Sequence, residues 1–214
     1  MTPGAPGRVV LLGGTFDPIH CGHLAVADQV RALLGADEVW LIPSGTPPHR
    51  GSTAAPAGAR AAMVRAAAAG RPGLRVLDLE LRRPGPSYTS TTIAELAREH
   101  PGVELWFLLG ADAARDIRAW HRLGDLLEVA RFVVVNRDGA PELTPSAAAA
   151  LGFDPARTRV VRVDSPPISA TDIRRRAAAG EPLEGLVPPE VEAIIVARGL
   201  YGARGGAVAD NRTA

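Results

Sequence analysis

The sequence predicts an open, doubly wound α/β fold with a mostly parallel sheet, built as a single domain. Three observations carry this. Short, continuously apolar, β-rich runs alternate with helical stretches along most of the chain, and unbroken apolar character marks strands covered on both faces. The first such run ends in a double glycine that leads into a helix, the arrangement found where open α/β sheets bind ligands. The 214 residues suit one domain with a substantial core.

The elements follow in order. Strands are expected at 8–12, 38–42, 74–77, 104–109, 132–135 and 159–163, each a short run rich in Val, Leu, Ile or Phe. Helices are expected at 20–34, 56–69, 90–99, 112–118, 123–129, 145–151, 170–179 and 189–198, where good helix formers replace the β-rich runs. The alternation of strand and helix favours parallel strands joined by crossovers. Ligands then bind beyond the carboxyl ends of the strands, where residues 13–23, 43–50, 110–112 and 136–139 converge. The domain spans 8–201, with a loose lead at 1–7 and a small, polar, disordered tail at 202–214. No repeat or linker divides it.

Composition narrows the function. A formal net charge of +1 argues against a broad nucleic-acid surface. It leaves room for a local basic pocket; the sequence leaves the oligomeric state open, a homo-oligomer included. No apolar run reaches the roughly 18 residues needed to span a membrane, and the first residues lack the apolar core of a signal peptide. The single cysteine, Cys21, excludes an internal disulfide framework and fits a reducing cytoplasm. It reads as a small filler residue, a functional thiol being the alternative. Gly-x-Gly-x-x-Gly does not follow the first strand, and no Gly-x-x-x-x-Gly-Lys-Ser/Thr loop occurs, so neither a dinucleotide fingerprint nor a P-loop motor is expected.

Residues 13–23 read Gly-Gly-Thr-Phe-Asp-Pro-Ile-His-Cys-Gly-His. A glycine turn lets a ligand approach the backbone, and a helix N-terminus offers free N–H groups. Positions i and i+3 share a helix face, so His20 and His23 can address one anion. Gly22 between them is a poor helix former and needs a reason, such as close packing or ligand approach. Two bland surface histidines on a glycine turn, or a His-x-x-His metal site, are the alternatives. The second lacks a further ligand cluster, so no protein-held metal is expected.

Four further segments carry chemistry. Ile168-Ser-Ala-Thr-Asp-Ile-Arg174 follows the sixth strand; Ser169 or Thr171 can cap the next helix and Arg174 can reach back as a cationic fork. Arg175 and Arg176 fall on other, solvated faces. Ser87-Tyr88-Thr89 follows a Pro-Gly-Pro turn and opens a helix whose amides can hold a carboxylate. Trp120-His121 follows Gly110-Ala-Asp112, and Trp120 can stack on a flat ring, whereas Trp40 and Trp106 fall in strands and belong to the core. Pro47-Pro48-His49-Arg50 places a cation on a loop, and Arg137 adds another at a strand end.

The 13–23 segment resembles the His-x-Gly-His signature of the nucleotidylyltransferase superfamily. In its longer form it resembles the bacterial nicotinate-mononucleotide adenylyltransferases, with matches from about Arg8 to Tyr201. The resemblance implies a Rossmann-like fold and adenylyl transfer from ATP to nicotinate mononucleotide in NAD biosynthesis. It also implies Mg²⁺ held mainly through ATP phosphates and water. By the same resemblance ATP is bound by Gly13, Gly14, Thr15, Phe16, Gly110, Asp112, Ile168, Ser169, Thr171 and Arg174, with Asp112 on the ribose. The mononucleotide is bound by Thr15, Arg50, Ser87, Tyr88, Thr89, Trp120, His121 and Arg137, and His20, His23 and Arg174 are catalytic. The chain has Arg50 for the family's lysine, Thr91 for its aspartate and Ile93 for its leucine. The rival expectations are nicotinamide mononucleotide or phosphopantetheine as acceptor, or a non-catalytic nucleotide sensor.

Overall fold

The computed structural model describes residues 6–48, 52–137 and 141–203. The first strand, β1 (Arg8–Gly14), is followed by α1 (Cys21–Leu34), β2 (Glu38–Pro43), α2 (Ala57–Ala68) and β3 (Leu74–Val76). The short α3 (Leu79–Arg82) and α4 (Thr89–Glu99) lead to β4 (Glu104–Gly110), α5 (Ala111–Arg115), a 3-10 turn (Ile117–Ala119), α6 (Leu123–Val129) and β5 (Arg131–Asn136). Then come α7 (Pro145–Ala150), β6 (Thr158–Arg162), α8 (Ala170–Ala179), α9 (Pro189–Ala197) and a second 3-10 turn (Leu200–Gly202). Gly202 and Ala203, placed in the tail by the sequence, lie in or beside this turn; residues 204–214 and 1–5 lie outside the described residues.

The six strands form one parallel sheet in the order β3-β2-β1-β4-β5-β6. The chain moves outward from β1 to β3, then returns to add β4 on the other side of β1. The β1/β4 boundary is therefore the topological switch point, where a crevice opens between connections that leave to opposite faces. Leu11 pairs with both Trp40 and Phe107, so β1 is the centre of the register.

Alternate strand residues feed two separate cores. Val10, Leu12, Leu41, Leu108 and Val133 pack with α1, α2, α8 and α9, while Val9, Leu11, Ile42, Phe107 and Val134 pack with α4, α5 and α6. All ten are buried, which explains the unbroken apolar runs in the sequence. The helix α1 ends at Gly35, whose φ of 57° closes the last turn by donating its N–H to Ala32 and Arg31 carbonyls. None of the helices among the described residues is long and apolar enough to cross a membrane.

Most elements lie within two residues of expectation. The exceptions are α3 and the last 3-10 turn, where no sequence pattern marked an element, and the predicted 112–118 helix, which is split into α5 and a 3-10 turn. The split falls at Asp116, whose ψ of 6° leaves the α region.

Candidate active site

A cavity of about 370 Å³ opens at the carboxyl ends of β1 and β4. Gly13, Gly14, Thr15, His23, Ser87, Tyr88, Thr89, Gly110, Trp120, His121 and Arg137 line it together with Pro47, Pro48 and Glu80. Eleven of the residues assigned from the sequence thus meet at one place. Arg50 lies outside the described residues, as do His49 and Gly139.

The turn after β1 is shaped by its own side chains. A Cβ on Gly14 would sit 3.1 Å from the Phe16 ring, so the strand ends where only glycine fits. Phe16 itself takes a φ of 48°, a costly conformation for an aromatic residue. Its ring is buried and meets His23 edge-on at 5.2 Å. It therefore supports the turn from below and does not line the cavity.

His20 caps α1 and is not its first helical residue. The two imidazoles stack, with centroids 3.7 Å apart and planes at 27°. Spacing alone pointed both at one ligand; the stack instead gives the cavity wall to His23, with His20 packed against it. The backbone N–H of His20 donates to His23 Nδ1 at 3.3 Å, which leaves the proton of a neutral His23 on Nε2. Burial, then the Arg137 charge, lowers His20 to about 4. Burial, then His20 and Arg137, holds His23 well below its ordinary value. Both rings are thus neutral near pH 7 and act as N–H donors, not as cations. Among the described residues His20 Nδ1 is buried without a partner, on the side of the ring that faces Gly22. Gly22 has the reason that the sequence demanded: a Cβ there would lie 3.1 Å from His20 Nδ1 and 3.5 Å from the Pro166 carbonyl.

The segment 168–174 docks on this turn. Ser169 caps α8 by accepting from the Asp172 N–H at 3.1 Å. Arg174 donates to the Asp17 carbonyl at 2.8 Å and to Thr171 Oγ1 at 3.2 Å, joining the two motifs. Arg175 and Arg176 pair with Asp172 and Glu181 on the outside of the helix. Asp112 is exposed and paired with Arg115 at 2.9 Å, so a ribose would have to share that carboxylate.

At the other end of the cavity, Tyr88 precedes α4 and stacks on His121, with centroids 4.1 Å apart and planes at 18°. The first amides of α4 belong to Thr89, Ser90 and Thr91 and have no partner within the helix. Thr91 is exposed and does not line the cavity, so its difference from the family's aspartate falls outside the pocket wall. Trp120 is half-buried, edge-on to Phe107 at 5.9 Å. Trp40 and Trp106 are buried in the two cores. The Ser87 hydroxyl accepts from the Gly45 N–H at 3.0 Å and hydrogen bonds to Glu80; it is spent on the wall rather than left free for a ligand.

Three residues of the site were not found from the sequence. Glu80 is buried, accepts from Thr92 Oγ1 at 2.6 Å, and has its carboxyl pushed up by burial. It lies on α3, where no pattern marked an element. Arg60 is fully buried and donates to the carbonyls of Thr15, Gly45 and Ala55 at 2.6, 3.0 and 3.3 Å. Its spacing to Met63, Val64 and Ala67, all buried on α2, was the available signal. Asp17 accepts from the amides of Ala54 and Ala55 at 2.7 and 3.1 Å.

Fold and site together define a nucleotidyltransferase: the chain belongs to the cytidylyltransferase-like family, whose model matches residues 11–176. Within it, the chain is 43% identical over 198 residues to a protein of Symbiobacterium thermophilum named "Probable nicotinate-nucleotide adenylyltransferase", covering 91% of this chain and 95% of the relative. A protein of the same name from Geobacillus kaustophilus is 38% identical over 210 residues, covering 97% and 91%. The fold also matches the nicotinic acid mononucleotide adenylyltransferase of Plasmodium falciparum complexed with NaAD, with a TM-score of 0.77, 20% identity and coverage of 92% and 98%.

Proposed function

We propose that the protein transfers the adenylyl group of ATP to nicotinate mononucleotide, forming nicotinate adenine dinucleotide and pyrophosphate in NAD biosynthesis. The observation that carries this is the meeting, in one cavity, of the His20/His23 turn and the start of α4. One end suits a polyphosphate and the other a pyridine carboxylate. The homologues' names agree with it.

The mononucleotide phosphate is ionised at neutral pH, so it needs no general base. One of its oxygens bonds to the α-phosphorus while the α–β bridging P–O bond breaks, and pyrophosphate leaves with that electron pair. The protein aligns two anions and stabilises the charge that develops between them. His23 Nε2–H donates to a phosphate oxygen, the neutral His20 stacked behind it holds that ring in place, and Arg174 steadies the β/γ end. Arg137 and Arg50 add positive field, Trp120 and Tyr88 bracket the pyridine ring, and the Thr89 and Ser90 amides receive its carboxylate. Enzymes of this family use a divalent metal. Mg²⁺ would enter on the ATP phosphates and supply charge neutralisation there. Among the described residues, no group of three or more His, Cys, Asp or Glu is placed to hold an ion. The reading places the protein in the cytoplasm, with small-molecule partners rather than nucleic acid or membrane.

The test is pyrophosphate release with ATP and Mg²⁺, comparing nicotinate mononucleotide with its amide and with phosphopantetheine. Preference for the acid is expected. Preference for another acceptor would keep the ATP half of the reading and remove the pyridine half. ATP binding without release would support the sensor instead.

A further inference from the structure

Asp17 belongs to the turn that carries the histidines, yet its carboxylate does not line the cavity. It is buried and accepts from three donors. Oδ2 accepts from the Ala54 amide; Oδ1 accepts from the Ala55 amide and, at 2.8 Å, from the Tyr201 hydroxyl. The backbone carbonyl of the same residue holds Arg174. Tyr201 in turn sits in the last 3-10 turn, which packs on α8, the helix that carries Arg174; Gly202 lies against Ala178 there. The arrangement is a triangle, with the histidine turn, α8 and the final turn each tied to the other two.

Two backbone strains lie at this joint. Phe16, next to Asp17, has φ 48°, and Tyr201 has φ 59°. Both are left-handed conformations that an aromatic residue adopts only when its surroundings impose it. The bond between the Asp17 and Tyr201 side chains connects the two strained segments. Such strain collects at places where geometry matters to function.

We infer that Asp17 and Tyr201 are positioning residues for adenylyl transfer, their hydrogen bond latching the last turn of the chain onto the phosphate-binding turn. Neither touches the reacting atoms. Tyr201 acts through Asp17, and Asp17 acts by fixing Arg174 and the backbone that presents His20 and His23. The inference rests on the adenylyl-transfer reading.

The experiment measures steady-state turnover of ATP and nicotinate mononucleotide, well below each unfolding midpoint, for wild type, Tyr201→Phe, Asp17→Asn and the double variant. Val191→Ala, in the core of α9 and outside the cavity, is the stability control. Tyr201→Phe keeps the ring and removes only the donor. Its kcat is expected to fall about tenfold, with KM for the mononucleotide within about twofold. Asp17→Asn is expected to fall further, and the double variant no further than Asp17→Asn alone, because Tyr201 has no route except through Asp17. A loss smaller than about fivefold in Tyr201→Phe overturns the inference. So does an equal loss in a Val191→Ala protein lowered in midpoint by the same amount. Wild-type turnover reads the adenylyl-transfer assignment separately: its absence overturns that assignment and the latch with it, whereas the variant ratios judge the latch alone.

Discussion

Replacing Gly22 by alanine sets a helix preference against a packing limit, and the structure decides between them. Alanine gains up to about 1 kcal/mol over glycine within a helix. Its Cβ would lie 3.1 Å from His20 Nδ1 and 3.2 Å from Cε1, where comfortable contact needs about 3.5 Å or more. The ring must retreat by roughly 0.4 Å. It has nowhere free to go, because its other face is stacked on His23 at 3.7 Å. Overpacking of this kind costs about 1–3 kcal/mol, which exceeds the helix gain, so a net loss of about 1 kcal/mol is expected, or about 2–4 °C in the midpoint of a chain this long. Moving both imidazoles by a few tenths of an ångström should lower kcat about tenfold, since a displacement of about 1 Å costs roughly a hundredfold. Thermal unfolding and pyrophosphate release on the same preparation read both numbers. A Gly22→Ala protein with a raised midpoint and unchanged turnover would refute the reasoning.

Three other outcomes follow from the same geometry. The folded state holds His20 at about 4 against 6.5 when free, so between those values the unfolded chain binds more protons; stability is full above pH 6.5 and is lost as pH falls towards 4, by about 2 kcal/mol at pH 5. Urea titrations at pH 7 and pH 5 should show this, with a smaller difference in His20→Gln. Arg60→Met keeps volume but removes the buried guanidinium that donates to the Thr15, Gly45 and Ala55 carbonyls and the positive charge beside Asp17, so a loss of about 2 kcal/mol is expected in denaturant unfolding; a variant as stable as wild type would refute this role for Arg60. Arg174→Lys cannot span the Asp17 carbonyl and Thr171 together, and should lower kcat/KM for ATP about tenfold while the unfolding midpoint stays within a few degrees.

The sheet and its flanking helices were legible because both strand faces are buried, so the apolar runs of β1, β4 and β5 show no polar interruption. The cavity's lining was legible where function shows as an unusual local pattern, as at Gly13, Gly14, His23, Tyr88 and Trp120. What escaped depends on contacts remote in sequence. Asp17 meets Tyr201 across 184 positions, and Arg60 meets Thr15 across 45; neither separation leaves a periodic trace. The stacking of His20 on His23 was likewise invisible, because spacing fixes the shared face of a helix but not that His20 stands outside the helix as its cap.

The parallel sheet also decides how the molecule presents itself when held. The amides of Gly7 and Arg8 are pinned to Asp37 at the amino ends of the strands, while Tyr201 is fastened beside the carboxyl ends. The two described ends of the chain therefore stand apart by about the length of a strand, some 20 Å. A fusion partner or solid support joined ahead of residue 6 would leave the cleft facing open solution. The same cargo joined after residue 203 would hang next to the cleft's own foundation. Immobilised or tagged preparations should be compared in both orientations before a rate is ascribed to the enzyme itself.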